Sequence, residues 1–157
     1  MKFGMSFFSA FARMSKFLCT FVASFKKNRM EIGIKGKMER VVGEADTAKA
    51  LGSGTLSVFA TPAMVALIEE TAWRSVEPSL EEGQGTVGTL LHVEHLSPTP
   101  VGMRVVCETE LAAVDGRKLV YKVEVSDESG LVGRGVHERF VVKEIPFQQK
   151  ADAKKGA

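Results

Sequence analysis

Cysteine and histidine are scarce in this 157-residue chain, and the shortage closes off several classes of function. The two cysteines, Cys19 and Cys107, lie far apart and form no CxxC pair. They make neither a zinc signature nor a disulfide framework, which points to a reducing cytoplasm. The three histidines, His92, His95 and His137, do not complete a metal-ligand spacing with them. Neither metal nor cofactor is expected. A membrane-spanning run is also missing: the most apolar stretch near the N-terminus, 17–25, is short and holds Thr20 and Ser24.

Acidic residues are absent from residues 1–30, which carry six basic groups: Lys2, Arg13, Lys16, Lys26, Lys27 and Arg29. Of 21 basic and 19 acidic residues, the remaining chain therefore keeps 15 and 19, a balance of −4. A body of that sign is a poor nucleic-acid binder, because phosphate neutralisation needs clustered Lys and Arg. The basic character belongs to the leader. There Phe7, Phe11, Met14, Phe17, Phe21 and Phe25 recur at helical spacing. A membrane-surface helix, a targeting segment, and translation starting at Met30 compete as readings. Membrane contact is expected only if the leader is part of the protein.

What remains has the makings of one domain, with 45% hydrophobic and 25% charged residues overall. Its expected extent is 31–147, followed by a polar, Lys-rich tail at 148–157 that should be disordered. Residues 32–42 alternate weakly, as a strand does, and 45–51 read as a short helix closed by Gly52. The clearest element is a helix from Thr61 to Val76, with Thr61 as N-cap, Pro62 at the first position and a stop before Pro78. Strand-like segments follow at 86–96, 103–114, 118–126 and 131–143. Asp115-Gly116 and Asp127–Gly130 supply hairpin turns between the last three. One long helix followed by meandering strands implies an α+β fold, an antiparallel sheet with the helix on one face.

Within that frame two polar residues stand out. On a helical wheel Glu69 lies about 40° from Val65 and about 20° from Val76, inside the apolar stripe of Val65, Ile68, Ala72 and Val76. Glu70 is rotated away and should be solvated. A carboxylate on an apolar face needs a partner, and the alternative is an edge position with an Arg pair. Strict alternation sets Val87, Thr89, Leu91, Val93 and His95 on one strand face. If that face meets the helix, His95 and Glu69 approach each other. A lone histidine there is more often a core residue, and Thr61 alone is only a cap.

The order of motifs adds to this. The run 58–69 (VFATPAMVALIE), then Thr86-Val87-Gly88-Thr89, His92-Val93-Glu94-His95 and Gly135-Val136-His137-Glu138-Arg139 resembles the fluoroacetyl-CoA thioesterase family of the hot-dog superfamily. The resemblance spans roughly residues 31–145. It implies a hot-dog fold, a long helix wrapped by a curved antiparallel sheet. It also implies a homodimer, or a higher oligomer built from it, that hydrolyses acyl-CoA at its interface. The implied catalytic residues are Thr61, Glu69 and His95, with Gly88 near the thioester and Arg139 as a substrate-side or interface cation. Members specialised for a very small fluorinated acyl group carry bulky aromatics before the helix, and residues 52–57 here carry none. A small to medium acyl group is the expectation. A non-catalytic acyl-CoA-binding module and a hot-dog dehydratase on acyl thioesters are the alternatives.

Overall fold

A computed structural model describes residues 30–156; residues 1–29 of the leader lie outside the described residues. Five strands form one antiparallel sheet: β1 Lys35–Val41, β2 Gln84–His95, β3 Arg104–Asp115, β4 Lys118–Asp127 and β5 Gly130–Lys143. Their order is β1-β3-β4-β5-β2, so β1 and β2 are the edges. The long helix α1, Thr61–Val76, lies across one face, and a second helix, α2, Glu144–Asp152, follows β5. All the residues of α2 are exposed, and it includes part of the stretch expected from composition to fray. This is the α+β architecture, a long helix against a curved sheet, that the sequence implies.

Helical and strand periods explain the packing. Met64, Leu67, Ile68, Ala72 and Val76 of α1 are buried, recurring at three and four residues as one helical face must. Val105, Cys107 and Leu111 of β3 and Leu119, Tyr121 and Val125 of β4 face them at a period of two. Each large side chain buried in this layer contributes roughly 1.5–3 kcal/mol. Gly36 lets β1 pass close beneath α1, since a Cβ there would lie 2.7 Å from the Thr71 carbonyl oxygen.

One local expectation is corrected and one hairpin turn is located more closely. Residues 45–51 do not form an α-helix: a short 3-10 turn, Glu44–Asp46, gives way to a looped segment tied by Ala48 N to Val58 O at 2.9 Å and Lys49 N to Leu56 O at 3.1 Å. The β3–β4 connection is centred on Gly116-Arg117, with Asp115 opposite Lys118. Gly116 takes φ +58°, which a first central residue of such a turn requires.

Candidate active site

The helix start is built differently from expectation. Ala60 is the N-cap, and no side chain caps the helix. Thr61 is the first helical residue and turns its hydroxyl to β2 instead, where Oγ1 lies 2.9 Å from His95 Nδ1. His95 Nε2 is enclosed without a hydrogen-bond partner, and the edge of its ring meets Phe59 at 6.4 Å between centroids. Burial lowers the His95 pKa, which the Ser97 backbone partly offsets. The ring lies behind an exposed hydroxyl, next to a cavity of about 270 Å³ lined by Ser53, Val58, Phe59, Thr61, His95 and Pro98, among others.

Glu69 belongs to a second cluster. Its carboxylate is 40% exposed, with Oε1 3.5 Å from Arg139 Nη1 and 3.9 Å from His137 Nε2. Arg139 is 5% exposed. It donates from Nε to Thr86 Oγ1 at 2.9 Å and from Nη2 to the Thr86 carbonyl at 2.7 Å. That burial does not suit a contact to CoA phosphates; Arg139 stands behind Glu69 as its support. Glu70, expected to be solvated, is half-buried and paired with Arg74 at 3.0 Å and Arg40 at 3.4 Å.

Glu69 and His95 do not meet within one protomer. Glu69 follows Thr61 by eight residues, which at 1.5 Å per residue is about 12 Å along the helix axis. The chain thus carries a Thr61–His95 pair and a Glu69–Arg139–His137 group, spaced along one helix.

The second group depends on an irregularity in β2. Gly88 lies opposite Arg139 and Leu90 opposite Glu138, so the register shifts between them and leaves Thr89 as the extra residue. The shift reverses the facing of residues before it. Thr86 and Gly88 point toward α1, in place of the expected Val87 and Thr89. A Cβ on Gly88 would overlap Glu69 Oε1, so the glycine leaves room for the carboxylate where it lies, and a larger residue would push it aside. His137 and Thr86 were not singled out from the sequence. The available signal was the two-residue spacing of His137 and Arg139, which puts both side chains on one strand face.

Comparison with known proteins bears on the family and the fold. A family model described as fluoroacetyl-CoA-specific thioesterase, FlK, matches residues 42–145, more than half of the chain. The fluoroacetyl-CoA thioesterase of Streptantibioticus cattleyicolor is 40% identical over 97 residues, covering 62% of this chain and 70% of the relative. A solved structure of the fluoroacetyl-CoA thioesterase FlK superimposes with a TM-score of 0.77 at 34% identity, covering 80% of this chain and 98% of that one. A thioesterase superfamily member from Thermus thermophilus gives 0.75 at 26% identity, with 82% and 95% covered.

Proposed function

We propose that this chain, which belongs to the fluoroacetyl-CoA-specific thioesterase family and is an acyl-CoA thioesterase of the hot-dog fold, hydrolyses a small to medium acyl thioester through Thr61, Glu69 and His95. The observation that carries the reading is Glu69 itself. Its carboxylate is half-open to solvent, backed by a buried arginine, and set over a strand glycine whose missing Cβ leaves the carboxylate its place.

In this reading Glu69 deprotonates a water that adds to the thioester carbon, or adds there itself to give an anhydride, which water then cleaves. In either route the C–S bond breaks and the proton gained by the CoA sulfur is supplied by that water. Thr61 presents its hydroxyl to the developing charge, while His95 behind it exchanges the proton that the departing CoA sulfur takes up. Backbone N–H groups near Gly88, with no Cβ in the way, suit the carbonyl oxygen.

A site needing both clusters is completed by a second copy of the chain. Among the described residues, strand β2 is an edge of 12 residues with one side unpaired by any other strand, and such an edge invites pairing. In a two-fold dimer joined there, α1 of each protomer runs antiparallel to its mate. Glu69 of one protomer then approaches Thr61 and His95 of the partner subunit. A homodimer in the cytoplasm is the proposed state. The buried free Cys107 fits a reducing compartment, and among the described residues no helix is long and apolar enough to cross a membrane.

Residues 52–57 hold no aromatic side chain before α1, which favours an acyl group of more than two carbons. Relatives solved with acetyl-CoA, or with fluoroacetate and CoA, show the ligand class the family takes. The test is free-thiol release from a panel of acyl-CoAs of two to eight or so carbons. Release that peaks above two carbons supports the reading. Binding without release from any member would make the chain an acyl-CoA-binding module, and double-bond formation without free CoA would make it a dehydratase.

A further inference from the structure

The buried arginine of the Glu69 cluster is held in an unusual way. Its guanidinium meets Glu69 at 3.5 Å, longer than the roughly 2.7–2.9 Å of a strong charge-assisted bond. The closer partners are neutral: the two oxygens of Thr86, and His137 Nε2 at 3.1 Å from Arg139 Nη1.

An arginine is a donor only. Nε2 of His137 must therefore be unprotonated and accept. The proton of the neutral ring then sits on Nδ1, which donates to the Leu90 carbonyl at 2.9 Å. That carbonyl belongs to the first residue after the bulge in β2, so the same irregularity that turns Gly88 toward Glu69 also sets the tautomer. The ring is fully buried. Tyr121 stacks on it at 6.2 Å and 28°, and a Cβ on Gly88 would come within 3.2 Å of its Cε1.

We propose that His137 is a positioning residue for the reaction: locked as the Nδ1–H tautomer, it accepts a hydrogen bond from Arg139 and aims the guanidinium at Glu69. The inference rests on reading Glu69 as the reactive carboxylate. Its logic is one of charge. A carboxylate at position 137 would compete with Glu69 for the arginine, and an apolar residue would leave a buried N–H unmet. A neutral acceptor fixes the guanidinium and leaves its charge directed at Glu69.

Protonation of His137 would set two cations against each other at the Nε2–Nη1 contact. Burial opposes that by lowering the His137 pKa; the Leu90 bond opposes the shift, Arg139 reinforces it and Glu69 opposes it. The titratable groups facing the ring are Glu69 from α1, Arg139 from its own strand and Tyr121 from β4. Strand β2 contributes only backbone, at Leu90 and Gly88.

The experiment compares His137→Leu and His137→Gln with the full-length protein, using the best acyl-CoA of the panel. Leucine removes the acceptor and should lower kcat roughly a hundredfold with KM changed less than about threefold. Glutamine can still accept from Arg139 and should recover about tenfold of that loss. Nitrogen-15 NMR of the unmodified protein's imidazoles should show one ring with Nε2 unprotonated and Nδ1 protonated at neutral pH. Wild-type kcat in a folded His137→Leu variant, equal losses in both variants, or an Nε2-protonated His137 would each overturn the proposal. A Glu69→Gln variant with normal turnover would instead remove the reading beneath it, so the two failures are distinct.

Discussion

Gly88 and Glu69 occupy one space: the missing Cβ of the strand residue is where the carboxylate oxygen of the helix residue lies. Gly88→Ala should therefore displace Glu69 rather than unfold the sheet. We expect kcat to fall roughly a hundredfold, with the melting temperature lowered by only a few degrees or about 1 kcal/mol. Steady-state kinetics beside a thermal melt would check both. Unchanged kcat would show that the carboxylate's position over Gly88 does not matter.

Glu69→Gln keeps the shape and removes the charge, and His95→Ala removes the base behind Thr61. Each should reduce turnover by roughly 10²–10⁴-fold, with near-normal circular dichroism and melting. Near-normal turnover in both variants would end the assignment of these residues.

Acid should weaken the fold before the carboxylates titrate. Burial lowers the pKa of both His95 and His137, whereas a histidine in the unfolded chain titrates at about 6.5. Between those values the unfolded chain binds more protons, so stability rises with pH. The contribution is complete above about pH 6.5 and is lost as pH falls through the folded values. The urea midpoint should be lower at pH 5 than at pH 7.5, and His137→Gln should narrow the gap. Equal midpoints at the two pH values would contradict the burial argument.

Cys107 is fully buried beneath α1 and its thiol is pushed up to about 11, mainly by desolvation. It should resist alkylation at pH 8 in the native protein and react once the chain is unfolded, as mapped by peptide mass spectrometry. Rapid native labelling would show that the core opens more readily than its packing implies.

Much of this arrangement is legible in the sequence because it depends on short-range rules. Helix α1 spans Thr61–Val76, where the proline at its start and the apolar stripe set it, and the strands follow from alternating Val, Leu and Thr between Gly-containing turns. The candidate residues Thr61, Glu69 and His95 stand out in the sequence, but their grouping in space does not follow from it. Strict alternation along β2 assigned Val87 and Thr89 to the helix face, but one extra residue at the bulge exchanges them for Thr86 and Gly88. Nothing local in Thr86–Leu90 marks that insertion; it is a property of the pairing with β5. Likewise Thr61 has the chemistry of a cap, and only the approach of β2 shows that its hydroxyl goes to His95. His137 escaped notice because a histidine among valines reads as core, which it is, and its second partner becomes visible only beside Arg139.

The proposed site joins Glu69 of one protomer to Thr61 and His95 of the partner subunit. The most direct test is a heterodimer of a Glu69→Gln subunit and a His95→Ala subunit, co-expressed with two affinity tags and purified on both. One of its two sites would be intact in both halves, and the other doubly impaired. We predict roughly half the activity of the unmodified dimer, from two parents that are each nearly inactive. A doubly tagged heterodimer as inactive as its parents would contradict the shared site.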